Sequence, residues 1–355
     1  MARNLALFPM SRDMCAIARY SDMLEGYTLS KLMTPRFMRL QGADISILDG
    51  GCFANVAISD FNEAGVAECD TLFIDYSDNI QELGVYVEAM KTAESMGKKV
   101  IISRALADKL QLVMKYSEEL RQPRYSGSDK LYEINVPIVM VFSQGEYTDQ
   151  FATELALGKH FKDEGYSVGQ IGSRECSSFF GFPCAPDFLF ESQDVYNNIL
   201  RFNYYVKDLT DTIQPDLLII GAPNSMMKHN NYILQGLGLV PYVISNAVSS
   251  DISIACLHYG AFSNSFYEEV SRHGHYHLGN PIGFFGLANT SASTKSAEDV
   301  ELEYTNLDSA FVLKGISKNP VSDEFHLFNT LDKESVKNAC IAVQEVLTGN
   351  VRYMR

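Results

Sequence analysis

Three observations predict an α/β protein built from two parallel-sheet domains. Short apolar runs alternate with helical patterns along the chain, as parallel strands joined by crossover helices require. A length of 355 residues exceeds what a single hydrophobic core usually serves. The polar stretch Arg121-Gln-Pro-Arg-Tyr-Ser-Gly-Ser-Asp129 holds Pro123 and Gly127 and interrupts the alternation, so it reads as a linker. The expected domains are therefore 1–125, Rossmann-like, and 130–355, degenerate P-loop-like with a C-terminal extension.

In the first domain Leu5–Phe8 reads as a strand, Arg12–Leu24 as a helix and Thr28–Leu32 as a second strand. Ile45–Leu48, Val56–Ser59 and Leu72–Tyr76 read as further short strands. Ile80–Met96 has helical periodicity and stops at Gly97, a residue that ends helices well. Val100–Ser103 follows as a strand and Ala105–Leu120 as a helix. In the second domain the expected order is strand Val136–Phe142, helix Thr148–Glu164, strand Ser167–Ile171 and helix Asp194–Thr212. Pro215–Pro223 reads as a buried strand ending in a Gly-Ala-Pro turn, and Val240–Ser245 and Ile252–Leu257 as two more strands. A helix over Ser263–Arg272, short strands near Ala310–Leu313 and His326–Asn329, and a helix over Lys333–Leu347 complete the pattern.

Bulk properties exclude several classes of function. Hydrophobic residues make up 46% and charged residues 21%, enough for a packed core. The formal charge of -15 repels phosphate backbones and anionic bilayers, which argues against nucleic acid and membrane partners. No apolar run reaches the roughly 18 residues of a membrane span. Met1-Ala-Arg-Asn-Leu5 lacks a signal peptide's apolar stretch, so the expected location is the cytoplasm. Seven cysteines, an odd number without a CxxC pair, read as free thiols. The oligomeric state stays open.

A dinucleotide site needs glycines directly after the first strand. Here that position reads Phe8-Pro-Met-Ser-Arg-Asp-Met14, which argues against NAD or FAD, and no other cofactor is indicated. Asp49-Gly-Gly51 either lets backbone approach a ligand or makes a plain turn. Asp70 and Asp75, at the ends of the Leu72–Tyr76 strand, read as solvated turn residues.

The second domain opens like a phosphate-binding unit: strand, glycine loop, helix. A Walker A loop, GxxxxGK[ST], cradles phosphates with backbone N–H groups and a lysine. Aligned on the strand and the helix start, Ser143 and Thr148 take the glycine positions, Asp149 the lysine and Gln150 the hydroxyl residue. Gly145 and Glu146 lie between them, and no lysine occurs before Lys159. Two unit charges about 4 Å apart interact by roughly 4 kcal/mol at an effective dielectric near 20, so exchanging attraction for repulsion shifts binding by up to about 8 kcal/mol. A helix N-terminus alone favours an anion by only about 1 kcal/mol. Tight ATP binding is therefore not expected. Two readings stand for the loop: Asp149 or Thr148 caps the helix, or Glu146 and Asp149 hold a cation or a ligand ammonium.

Gly165-Tyr-Ser-Val-Gly-Gln-Ile-Gly-Ser-Arg174, Phe179-Phe-Gly-Phe-Pro183, Pro186-Asp-Phe188, Pro215–Pro223 and Ile244-Ser-Asn-Ala-Val-Ser-Ser-Asp251 form a longer set of marks. Together with Leu7-Phe-Pro9, Asp49-Gly-Gly51 and Cys69–Asp75, the chain resembles the clostridial peptide maturation system proteins, encoded beside ribosomally made peptides and their radical-SAM maturases. The resemblance implies an accessory role with a precursor peptide or a maturase as partner, and supplies no catalytic residues. The layout is also similar to two-domain proteins, Rossmann-like in front and P-loop behind, that acylate amino acids. That similarity keeps a nucleotide- or acyl-dependent transferase as an alternative, and a non-catalytic small-ligand module as another.

Ligands of open α/β sheets collect at the C-terminal strand edge. Gly172, Ser173 and Arg174 fall there, as do Gly221 and Asn224. Arg174 either forks onto a ligand carboxylate or phosphate, or pairs internally with Asp187. His273-Gly-His-Tyr-His277, taken as a strand, puts three imidazoles on one face, too far apart to converge on one ion, so no metal site is expected. Cys176 and Cys184 read as packed thiols.

Overall fold

The structure is a computed structural model that describes residues 2–116, 130–191, 194–260, 262–296, 300–319 and 321–353. The linker expected at 121–129 lies outside the described residues. The chain divides into two compact units, Met1–Tyr116 with Glu175–Gly181, and Ser117–Arg174 with Phe182–Arg355.

The first unit holds β1 (Arg3–Phe8), β2 (Tyr27–Thr34), β3 (Ser59–Asp60), β4 (Thr71–Ile74) and β5 (Lys99–Ile102). They form one parallel sheet in the order β3-β2-β1-β4-β5, wound outward both ways from β1. Ala6, Phe8, Leu72 and Ile74 pack with Tyr86, Ala89 and Ala93 of the helix Leu83–Ser95, and Gly97 adopts φ 70° just past its end.

Several expectations for this unit are corrected. Arg12–Leu24 breaks into short turns at Arg12–Met14, Cys15–Arg19 and Ser21–Met23. Ile45–Leu48 is not a strand. Ser46–Asp49 is one helical turn ended by Gly50 at φ 69°; a run of four residues, three of them apolar, cannot distinguish strand from helix by period. Val56–Ser59 contributes only Ser59 to β3. Of the helix expected over Ala105–Leu120, the described residues show Arg104–Lys109, with Gln111 left-handed at φ 55°; residues 117–120 lie outside the described residues. Asp49-Gly-Gly51 proves to be an ion-pair turn. Arg19 donates to both Asp49 oxygens at 2.6 and 2.7 Å, and a side chain on Gly51 would strike that guanidinium. Asp75, expected in solvent, is 2% exposed, whereas Asp70 is exposed and accepts the Asn4 N–H.

The second unit holds β6 (Ile138–Ser143), β7 (Val168–Ile171), β8 (Leu217–Ser225), β9 (Ile252–Leu257), β10 (Ile282–Leu287), β11 (Thr290–Ser293), β12 (Glu303–Asn306) and β13 (His326–Asn329). Six of these form a parallel sheet in the order β13-β10-β9-β6-β8-β7, and β11 and β12 pair as an antiparallel hairpin. The first strand of the unit, β6, is central, flanked by β8 and β9. Met140, Phe142, Ile220, Ala255 and Phe285 form the core between sheet and helices. No helix among the described residues is long and apolar enough to cross a membrane.

Here too some elements differ from expectation. Val240–Ser245 lies in the helix Leu239–Ala247; Pro241 is tolerated because first-turn N–H groups have no intrahelical acceptor. Ala310–Leu313 lies in the helix Ser309–Lys318, whose N-cap Asp308 accepts from the Ala310 N–H at 2.8 Å. Strand β10 was not anticipated. Gly283 and Gly286 dilute its apolar run, and a side chain on Gly286 would meet Phe328 and Thr330 at 2.9 Å. Gly221-Ala-Pro223 is not a turn but part of β8, which runs on to Ser225. His273, His275 and His277 lie in the helix Asn264–His277 rather than a strand.

Candidate functional site

Because the six strands are parallel, their C-terminal ends share one edge, and the expected site residues gather there. After β6 the chain makes a tight loop into the helix Gln150–Asp163. Ser143 is buried and its hydroxyl donates to the Asn224 carbonyl at 3.0 Å, joining the ends of β6 and β8. Asn224 itself is exposed and left-handed at φ 66°. Gly145 lies against the Gln235 amide, which would be 2.7 Å from any Cβ placed there. Thr148 is buried and its hydroxyl donates to the Gly145 carbonyl at 3.0 Å.

Asp149 begins the helix at φ 57°, but its carboxylate makes no capping bond. It accepts instead from the Thr330 hydroxyl at 2.9 Å, at the end of β13. Neither Asp149 nor Thr148 therefore caps the helix through its side chain. Gln150 turns inward and donates to the Val141 and Ala222 carbonyls at 2.8 and 2.7 Å. Glu146 is exposed; its backbone carbonyl accepts from His258 Nε2 at 2.7 Å.

The second group of expected residues meets at a side chain that sequence reasoning missed. Glu154, one turn beyond Gln150, is 1% exposed. Its Oε2 accepts the Ser173 N–H at 3.0 Å, while Oε1 lies against Gly221 with no hydrogen-bond partner. Burial pushes this carboxyl up to about 8, against the opposing pull of hydrogen bonds from the Ser173 side chain and backbone N–H and of the Arg174 charge. It is therefore largely protonated at neutral pH. Gly221 is in effect an allowance for Glu154, since any side chain there would overlap the carboxyl. Gly172 is held through its backbone, donating to the Pro183 carbonyl and accepting from Ala185. Arg174 is half-buried beyond it. Asp187, also half-buried, immediately precedes the short helix Phe188–Glu191 and accepts the Phe190 N–H through its carbonyl.

His258, Asn289, Asn329 and Thr330 were also missed. His258 directly follows β9 and is 3% exposed. Tyr304 of β12 lies between it and Tyr147, with ring centroids 5.5 and 4.7 Å away. Asn329 donates to Asn289 at 2.7 Å, and Asn289 donates to Ser309 at 2.7 Å, a buried polar chain behind Thr330. The available signal was a polar residue directly after each buried apolar run. Cys256 donates to the Thr153 hydroxyl at 3.5 Å; burial pushes its thiol up to about 12, so it is no nucleophile at neutral pH. Cys176 and Cys184 are buried and take part in no disulfide. His273 and His277 stack with centroids 4.6 Å apart, and His273 donates to the Met226 carbonyl at 3.1 Å. No cluster of potential metal ligands occurs among the described residues.

No protein-family model matches the chain, and no curated protein matches it. Among solved structures it is similar to a DUF1611 family protein from Anabaena variabilis, with a TM-score of 0.59, 12% identity, and coverage of 97% of this chain and 99% of that one. At that identity the likeness is one of fold: two parallel-sheet domains in one chain. A pseudomurein peptide ligase type C from Methanothermus fervidus aligns with a TM-score of 0.27 and 8% identity over 71% of this chain and 37% of its own, too weak to carry an argument.

Proposed function

We propose that this chain is an accessory protein in the maturation of a ribosomally synthesised peptide, acting in the cytoplasm. It binds a precursor peptide or its maturase at the C-terminal edge of the six-stranded sheet and does not use nucleotide there. One observation carries the second statement: a carboxylate, Asp149, is pinned by Thr330 at the start of the helix where a triphosphate would need a cation. The other grips of a phosphate loop are occupied as well. Thr148 closes its own turn, and Gln150 braces β6 against β8. An exposed Glu146, the Arg174 turn and the Asn224 bend offer polar groups suited to backbone and charged ends of a peptide. The peptide-maturation role rests on the sequence segments named above.

Two experiments test this. Calorimetry with Mg·ATP is expected to show no binding tighter than about 10 µM, roughly 7 kcal/mol; a tighter constant restores the transferase reading. Immobilised protein is expected to retain the precursor peptide encoded beside it. Loss of retention in the wild type, with the maturase also passing through, ends the accessory reading and leaves a small-ligand module.

A further inference from the structure

Strand β8 belongs to a stretch of unusual composition. Residues 217–250 hold no Asp or Glu, in a chain that has 44 of them, and Lys228 is the one residue of the span with a full charge at neutral pH. After the strand, from Gln235 to Gly238, the backbone is left-handed at four successive residues, with φ 46, 70, 56 and 72°. That conformation is unfavourable wherever a Cβ is present, so Gln235 and Leu237 are held in it by their surroundings. The Gln235 amide lies against Gly145, and Gly238 lies against the Met226 carbonyl, where no side chain fits. Leu237, whose N–H donates to the Leu234 carbonyl at 2.7 Å, is 65% exposed. The fold thus keeps an apolar side chain in water at a backbone position that Asn or Gly fills more easily.

Leu237 has apolar company. Tyr232, Leu234, Leu239 and Tyr242 are exposed as well, and none of the five belongs to the core. The helix Leu239–Ala247 buries Val243, Ile244 and Ala247 and turns Leu239, Tyr242 and Asn246 outward. Together the five side chains present on the order of 500 Å² of apolar surface, the upper range for a monomer. With a polar rim of Lys228, Asn231 and Asn246, the face approaches the roughly 800 Å² per partner of a specific interface.

We propose that this face is a dimer contact, in which the patch of one chain meets the same patch of a second copy about a two-fold axis. Charge decides the occupant. Each copy carries a formal charge of -15, so two copies repel over most of their surface and close only where neither brings carboxylates. Residues 228–246 meet that condition. A basic partner is drawn instead to the acidic remainder of the surface, and an acidic partner finds only Lys228 here. Apolar burial supplies the attraction between the copies, and their net charge limits it. Association therefore strengthens as salt screens the repulsion.

Sedimentation equilibrium of the full chain between about 1 and 100 µM tests this. The wild type is expected to follow a monomer–dimer equilibrium with a dissociation constant on the order of 10 µM in about 0.1 M salt, and to dimerise several-fold more tightly in about 0.5 M salt. Leu237→Asn suits left-handed backbone, and Leu239→Asp puts an acid in the first turn of a helix, so both variants are expected to fold. Each is expected to weaken the dimer about ten-fold or more. Phe37→Asn, at a comparably exposed aromatic of the first unit, is expected to change nothing. A wild type that stays monomeric at about 100 µM overturns the proposal and leaves the patch to another partner. A dimer that weakens with salt overturns it too, as does one that both patch variants leave intact or one that Phe37→Asn disrupts.

Discussion

Replacing Asp149 by Asn separates two effects of one carboxylate, and they have opposite signs. The first is on stability. Asp149 accepts a charge-assisted hydrogen bond from Thr330 at 2.9 Å and sits at the positive end of the helix Gln150–Asp163. Hydrogen bonds to charged groups contribute about 1 kcal/mol more than neutral ones, and a favourable helix-end charge adds about 0.3–1 kcal/mol. Asp149→Asn should therefore lose about 1–2 kcal/mol, read as a lower denaturation midpoint at unchanged slope. The second effect is on anions. A phosphate seated on the loop, about 5 Å from the carboxylate, meets a repulsion of roughly 3 kcal/mol at an effective dielectric near 20. Removing it should raise phosphate or ADP affinity on the order of 100-fold at low ionic strength, from undetectable toward millimolar, by calorimetry. The less stable variant should thus be the better anion binder. Equal anion affinity in the two proteins would refute the electrostatic reasoning.

Two other outcomes follow from the same unit. Gly158→Ala should gain about 1 kcal/mol from helix propensity alone, but its Cβ strikes the buried Gln170 amide, an overpacking that costs about 1–3 kcal/mol. We expect net destabilisation in denaturant melts, turning to net stabilisation when Gln170→Ala empties the space; destabilisation in both backgrounds would show that the contact is not the cause. Burial holds His273 below its ordinary value, opposed by its bond to Met226 and reinforced by His277. As pH falls through about 6.5 the unfolded chain takes up this proton first, so the folded state loses stability until the lowered folded value is passed. Thermal melts from pH 7 to 5 should show a shallower acid loss for His273→Gln, and an unchanged slope would remove His273 from the account.

Most strands of both sheets were legible because a fully buried parallel strand is a short, unbroken apolar run. Leu5–Phe8, Leu72–Tyr76, Val136–Phe142 and Ile252–Leu257 all lie within or across observed strands. Errors gathered where length is ambiguous, as at Ile45–Leu48 and Val240–Ser245, short and mostly apolar runs that suit a buried helix equally well. Gly286 hid β10 because its reason for being glycine, the approach of Phe328 and Thr330, comes from a strand some forty residues on.

The candidate site divides the same way. That the loop 143–150 lacks a phosphate-gripping lysine is a matter of residue identity, readable before any folding. What Asp149 does with its charge depends on Thr330, 181 positions away. Glu154 reads in sequence as one more polar residue on an amphipathic helix. Only the folded sheet puts Ser173 and Gly221 against it and excludes water, and that exclusion makes it a neutral acid. Charge and period are local properties and belong to the sequence; desolvation is a property of neighbours, and folding alone assigns those.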